Sequence, residues 1–380
     1  MSYGPEEILT MHEGSQALGR LQPFSSVHSA ADSRTYLSSL GLFGTAGDPN
    51  ETYNWRAEVI PTILNGLEMN GLREKVTVFN PQKENWSPED AVVEAEHLAR
   101  DAALILPVLD VTTGHASLAE TGFAALSGTL RPQKVNMFIE SGHEFGDVVQ
   151  RARTLTTLLA TKTLHDFPIN IRLAHDLQSM VAAGISDVSN FTNNIMSRVN
   201  QEFRYTVERR TDLAARIALV GSGAAHYADS WYEGVNYRLQ NNDVRESEIY
   251  SAYVNNWSVD DALRELEHKT NDAVILFAVT KDQDSYGAMG ELGWLLTYCV
   301  LNGQKLGVYV EPHQSEPKSD QNRQRKLAMT HMGRHLLDFP DLPVFIAKSP
   351  AELVLFGASE LAKYKQLQLA SNTARASWQQ

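Results

Sequence analysis

The sequence predicts an α/β protein: two tandem flavodoxin- or Rossmann-like three-layer domains with parallel sheets, packed as a pseudo-two-fold pair. Three observations lead there. The 380 residues suffice for two ordinary domains. Shifted by 171 residues, the chain matches itself over a long stretch without a gap. In both halves near-continuous apolar runs alternate with helix-period segments, the pattern of a parallel sheet covered by helices on both faces.

The repeat fixes the register. Asn85-Trp86-Ser87 falls on Asn256-Trp257-Ser258, and Asp90-Ala91 on Asp261-Ala262. Glu94, Glu96 and His97 fall on Glu265, Glu267 and His268, and Asp101-Ala102 on Asp272-Ala273. Glu120 and Gly122 meet Glu291 and Gly293; Gln133-Lys134 and Glu140 meet Gln304-Lys305 and Glu311. After one residue of slippage, Asp166-Phe167-Pro168 matches Asp338-Phe339-Pro340. Duplication of a unit of ordinary domain size accounts for this.

In the first copy residues 40–44 read as a short strand ending in glycine. Residues 55–67 fit a helix with Val59, Ile63 and Leu67 on one face. Residues 76–79 form a β-branched strand. Ser87 precedes Pro88, Glu89 and Asp90: an N-cap, then proline at the first helical position and acids in the first turn. Residues 103–109 form the third strand, the polar turn Thr112-Thr113-Gly114 leads into a helix carrying Glu120, and 135–139 form the fourth strand. The second copy repeats this with strands at 216–221, 249–254, 273–279 and 306–310, a helix near 232–239, the Ser258 cap and the Glu291 helix. The repeats are placed at 37–205 and 212–362, with 1–36 an N-terminal extension and 363–380 a C-terminal tail.

Open parallel sheets bind ligands outside the carboxyl ends of their strands. Three features per copy are assigned to that edge. The first is the turn after the first strand, Gly44-Thr45 in one copy and Gly221-Ser222 in the other, where glycine and a small hydroxyl let backbone amides approach an anion or sugar. Such turns also occur as plain βα connections. The second is the loop after the third strand, with Gly114, Ser117 and Glu120 in copy 1 and Asp284, Gly287 and Glu291 in copy 2. A carboxylate in the first turn of a helix is favoured as the anion, and an ionised carboxylate beneath a sugar suits a glycosyl-transferring nucleophile. The bland alternative is a glutamate that serves only the helix dipole. The third is the aspartate opening the third strand, Asp101 and Asp272. It ends the stripe Asp90, Glu94, His97, Asp101, repeated as Asp261, Glu265, His268, Asp272, which reads as a solvated or copy-to-copy face. One Glu-x-x-His helix per copy supplies too few ligands for a metal, so none is expected.

These residues resemble the nucleoside 2-deoxyribosyltransferase-like superfamily. Copy 1 carries the likeness in Gly44-Thr45, Trp55-Arg56-Ala57-Glu58, Phe79-Asn80-Pro81, Trp86, Asp101-Ala102 and the Gly114 to Glu120 loop. Copy 2 keeps Met289-Gly290-Glu291-Leu292-Gly293 but has Gly221-Ser222-Gly223 for the Gly-Thr turn, Trp231-Tyr232-Glu233 for Trp-Arg, and no Asn-Pro. The resemblance implies cleavage or transfer at the N-glycosidic bond of a nucleoside or nucleotide, with Glu120 and Glu291 as nucleophiles. It implies that Asp101, Asp272, Gly44, Thr45 and Arg56 help hold substrate, and that no cofactor is needed. Some members bind nucleotides without turnover, so an ADP-ribose-like or nucleotide sensor is the alternative, and the departures in copy 2 motivate it. Asp110 and Asp284 are the loop acids nearest each glutamate, yet they do not align with one another.

Charge narrows the partners. A net charge of −13 argues against broad nucleic-acid or anionic-membrane binding, which wants a basic face. A single cysteine, Cys299, excludes an intrachain disulfide and a cysteine-based zinc site. With no basic-then-apolar start and no run of about 20 apolar residues, a soluble, cytoplasmic protein is expected, acting on a small nucleoside or nucleotide and able to form a homo-oligomer of the fused pair.

Overall fold

Four consecutive elements recur at the predicted spacing. The computed structural model describes residues 27–29, 37–45, 54–83, 87–109, 115–131, 133–140, 148–167, 170–194, 204–206, 210–222, 230–254, 258–280, 286–311, 320–339 and 342–378. Helix α2 (Pro88–Arg100), strand β4 (Asp101–Val108), helix α3 (His115–Leu130) and strand β5 (Lys134–Ile139) start 171 residues before α7 (Val259–Asn271), β10 (Asp272–Val279), α8 (Tyr286–Asn302) and β11 (Lys305–Val310). Helix α4 (Val148–Asp166) precedes α9 (Asp320–Asp338) by 172, so the one-residue slippage falls where β5 connects to α4 and β11 to α9.

The first copy adds β2 (Leu37–Leu42), α1 (Trp55–Met69), β3 (Thr77–Phe79), β6 (Ile171–Leu173) and α5 (Leu177–Asn193). Its second-copy counterparts are β8 (Ala214–Gly221), α6 (Trp231–Gln240), β9 (Ile249–Ser251), β12 (Val344–Ala347) and α10 (Pro350–Trp378). Among the described residues the sheets are five-stranded, ordered β3-β2-β4-β5-β6 and β9-β8-β10-β11-β12, with every pairing parallel. This is the flavodoxin-like order, and it reverses between β2 and β4, and between β8 and β10. The register repeats: Leu40, Gly41 and Leu42 face Ala103, Leu104 and Ile105 as Ile217, Ala218 and Leu219 face Val274, Ile275 and Leu276. A separate antiparallel pair joins β1 (Val27–Ser29) to β7 (Arg204–Thr206), bringing part of the N-terminal extension beside the inter-repeat segment.

The repeated polar residues hold this scaffold. Ser87 caps α2 and Ser258 caps α7, and each backbone N–H donates to the aspartate three residues on, Asp90 at 2.7 Å and Asp261 at 3.0 Å. Gln133 Nε2 donates to the carbonyls of Leu98 (3.1 Å) and Asp101 (2.6 Å), and Gln304 Nε2 to those of Lys269 (3.0 Å) and Asp272 (2.6 Å). Each glutamine therefore satisfies carbonyls left over where its helix turns into a strand.

Each sheet has an outer core of its own, under α1 and α5 in copy 1 and under α6 and α10 in copy 2. The inner faces share a single core that runs from Phe43, Phe123 and Met137 to Trp294, Leu295 and Val308. At its centre α3 crosses α8. A Cβ on Gly122 would lie 2.3 Å from the Trp294 nitrogen, and one on Gly293 would lie 2.4 Å from the Phe123 nitrogen. These are repeat-equivalent residues touching reciprocally, as at an isologous two-fold contact. Gly122 and Gly293 thus let two helix backbones meet. The duplicated Asp-Phe pairs also cross the interface: Asp338 accepts from Arg131 Nη2 at 2.6 Å, and Asp166 from the Tyr298 hydroxyl at 2.6 Å.

The expected tail boundary at 362 falls inside α10. Past it, the Tyr364 hydroxyl donates to the Leu213 carbonyl at 2.9 Å and Gln368 Nε2 to the carbonyls of Thr211 and Leu213, so the helix is docked along the start of β8. Among the described residues no helix is long and apolar enough to cross a membrane.

Candidate functional site

The site is built where the strand order reverses. In copy 1, β2 ends and Gly44 turns with φ 88°, a left-handed conformation in which a Cβ would lie 2.4 Å from the Pro107 carbonyl oxygen. Thr45 N–H donates to that oxygen at 2.8 Å, and the Thr45 hydroxyl accepts from Leu109 N–H at 2.9 Å, closing the gap between β2 and β4. Gly44 N–H points at the Glu120 carboxylate and donates to Oε2 at 2.8 Å. The chain thus brings Gly44, Thr45 and Glu120 together at the carboxyl edge of the sheet.

Glu120 is the sixth residue of α3, whose first turn has no acid. The expected position in the first turn is corrected: the helix begins five residues earlier, and the Gly44 amide supplies the favourable N–H. Arg56 lies beneath the turn, 2% exposed, and donates to the carbonyls of Leu42 (3.1 Å), Thr45 (3.0 Å) and Gly44 (3.2 Å). Trp55 Nε1 donates to the Thr45 carbonyl at 2.6 Å. Burial lowers the Arg56 pKa to about 10, while Glu120 and Glu94 pull it back up. The guanidinium is charged at neutral pH, clamps the turn and balances two buried carboxylates.

Copy 2 reproduces the turn with different side chains. Gly221 has φ 128° and a virtual Cβ 2.1 Å from the Ala278 oxygen. Ser222 N–H donates to that oxygen at 2.8 Å, and its hydroxyl accepts from Thr280 N–H at 3.1 Å, the bonds that Thr45 makes. Trp231 Nε1 donates to the Ser222 carbonyl at 2.9 Å, and the Tyr232 hydroxyl to the Gly221 carbonyl at 3.1 Å, in the places of Trp55 and Arg56. The sequence departures in this copy therefore leave the turn intact. Glu291, again sixth in its helix and 2% exposed, lies 2.8 Å from Lys269 Nζ, off the line of a hydrogen bond. The same ammonium is 2.8 Å from Glu265. Burial pushes the Glu291 pKa up to about 7; Lys269 opposes the rise and Glu265 adds to it. Burial works against the charge on Lys269, but the two carboxylates outweigh it and hold its pKa above the ordinary value.

The sequence expectation for the stripe is a solvated or copy-to-copy face; Asp90 and Asp261 at the helix starts stay partly exposed, but its inner members turn toward their own sheet. Glu94, Glu265, Asp101 and Asp272 are all buried. Asp101 accepts from the Ser39 hydroxyl and lies 2.9 Å from His97 Nδ1, and that imidazole stacks on Phe79 at 3.6 Å. Burial raises the Asp101 pKa against the pull of His97 and Ser39. Asp272 pairs with Arg216 at 2.9 Å and His268 at 2.9 Å, and His268 stacks on Tyr250 at 3.6 Å. Both aspartates open their strands, so the register puts them at the amino end, opposite the Gly44 and Gly221 turns. They serve the layer under the sheet, not its ligand edge.

Asp110, Gly114 and Asp284 lie outside the described residues, as do Trp86 and Trp257. Ser117 falls in α3 and Gly287 in α8, each in the turn preceding its glutamate. Among the described residues no cluster of three or more His, Cys, Asp or Glu side chains could hold a metal. Sequence reasoning missed Lys269 and the roles of Glu94 and Glu265. The available signal was the lysine standing against Leu98 in the repeat register. No family model matches the chain, and no curated protein matches it.

Proposed function

We propose that this chain cleaves or transfers the N-glycosidic bond of a nucleoside or nucleotide, with Glu120 as nucleophile. The observation that supports it most is the Glu120 carboxylate held by the Gly44 amide at the topological switch point, with Arg56 beneath. In this reading a Glu120 oxygen attacks the anomeric carbon, and the C–N pair leaves with the base, which takes up a proton. Water or a second base then displaces the glycosyl ester. The hydrogen bond that the Gly44 N–H donates to Oε2 fixes the attacking group and favours the anion.

A second reading has its own observation: Glu291, buried like Glu120, lies 2.8 Å from the Lys269 ammonium, which suits a copy that binds the same class of ligand without turnover. Incubation of the wild type, Glu120→Gln and Glu291→Gln with a panel of nucleosides and nucleoside monophosphates, with free base measured by liquid chromatography, separates the two. Glu120→Gln is expected to bring base release to the protein-free level, and Glu291→Gln to leave it measurable. Wild-type release by Glu120→Gln would remove the nucleophile assignment. A wild type that returns bound nucleotide intact would move the whole chain to the binding reading.

A further inference from the structure

The two copies balance their glutamates with cations from different helices. In copy 1 the cation is Arg56 of α1, and position 98 of α2 is a buried leucine. In copy 2 position 232 of α6 is a buried tyrosine, and the cation is Lys269 of α7. The positions correspond pairwise. Arg56 and Tyr232 each follow a tryptophan bonded to the turn and each donate to the turn glycine's carbonyl. Leu98 and Lys269 each have their carbonyl bonded by the equivalent glutamine. The backbone is therefore the same at all four positions, and what has moved is the charge. Two buried carboxylates with no cation between them would repel in a low dielectric, so losing the arginine alone would be severe.

We propose that Lys269 is the positioning residue of a second, ligand-binding carboxylate site, holding Glu291 and Glu265 as Arg56 balances Glu120 and Glu94. This rests on the reading of the duplicated glutamate as the reacting or ligand-binding group. The second copy is then a rebuilt site and not a decayed one. The titratable groups around the cluster are Glu265 and Lys269 from α7, Glu291 from α8, Tyr232 from α6 and Tyr250 from β9. Burial, then Glu265 and Glu291, holds Tyr232 neutral; burial, then Glu265, does the same for Tyr250. One ammonium between two carboxylates leaves a Glu291 that exchanges its proton near neutral pH, and removing Lys269 would drive that exchange to higher pH.

The test uses charge-exchange variants read by thermal melting and by 13C-carboxyl NMR titration, with the Glu291 signal assigned by its loss in Glu291→Gln. Neither readout depends on base release, so failure of the glycosidic reading and failure of this proposal are distinguishable. Lys269→Leu is expected to lower the Tm by about 10 °C and to move the Glu291 titration upward. The double variant Tyr232→Arg/Lys269→Leu should recover most of both shifts. Should Lys269→Leu not fold, the mirror pair in copy 1 decides: Arg56→Tyr/Leu98→Lys should melt well above Arg56→Tyr. A Glu291 titration that does not move in Lys269→Leu overturns the proposal, and so do doubles no better than the singles.

Discussion

Alanine at Gly122 will loosen both halves of the molecule together. The added Cβ would lie 2.3 Å from the Trp294 nitrogen and 2.6 Å from Gly293 Cα. These are backbone atoms of a buried helix, so no side chain can swing away and α3 must lift off α8. Overpacking of this kind costs about 3 kcal/mol. The lift also strains the Trp294 indole bond to the Thr121 hydroxyl (3.0 Å) and the Thr297 hydroxyl contact with the Gly122 carbonyl (3.3 Å). Gly293→Ala should cost a similar amount, because its Cβ meets the Phe123 nitrogen at 2.4 Å. The double variant should be less destabilised than the sum of the singles, since one separation of the helices accommodates both methyls. Urea unfolding of all four proteins measures this. Since the inner core is continuous across the copies, each variant should show one transition. Wild-type stability for Gly122→Ala, or two transitions with only one moved, would contradict the crossing.

The same two glycines show where sequence reading reaches and where it stops. The 171-residue register located four elements of each copy and the glutamate loops, because periodicity and caps are local properties. It could not assign Gly122, since a small residue in a helix leaves the same space for a ligand as for another backbone. The stripe Glu94, His97, Asp101 misled for a related reason. Acids at helical spacing ordinarily mean solvent; here they are buried because partners distant in sequence, Ser39 and Arg56 in copy 1 and Arg216 in copy 2, come from other elements. Leu98 against Lys269 was visible in the alignment of the copies. Its meaning was not, because only the fold brings Lys269 within 2.8 Å of both Glu265 and Glu291. Helices α4 and α9 were not read as elements, although the Asp-Phe-Pro matches at their ends now have a physical account in the paired contacts across the interface.

Acid will loosen the packing between the two copies, and the buried His331 of α9 is one cause. Its ring is 1% exposed, stacks on Phe123 of copy 1 at 5.6 Å, and has no hydrogen-bond partner for either nitrogen among the described residues. Burial lowers its pKa from 6.5 to about 3. One turn on, His335 is held neutral by burial first and then by Arg131, whose Nη1 lies 2.7 Å from its Nδ1. A histidine with a depressed folded pKa contributes stability that is complete above its unfolded pKa and is lost as pH falls toward the folded one. At about 1.4 kcal/mol per tenfold, the drop from 6.5 to about 3 makes the His331 contribution about 5 kcal/mol. Glu291 has the opposite sign: with its pKa raised from 4.5 to about 7, its contribution is complete below 4.5 and is lost as pH rises through 7. Melting curves from pH 4 to 8.5 on the wild type, His331→Leu and Glu291→Gln test both. Leucine should flatten the acid limb and be neutral or mildly stabilising at pH 7, because it removes two buried unbonded nitrogens. Glutamine at 291 should remove the loss of stability that Glu291 causes between pH 4.5 and 7. Since His331 and His335 sit where α9 covers α3, dye binding to exposed apolar surface should rise in acid before secondary structure is lost. An acid limb that His331→Leu leaves unchanged would place the acid sensitivity elsewhere.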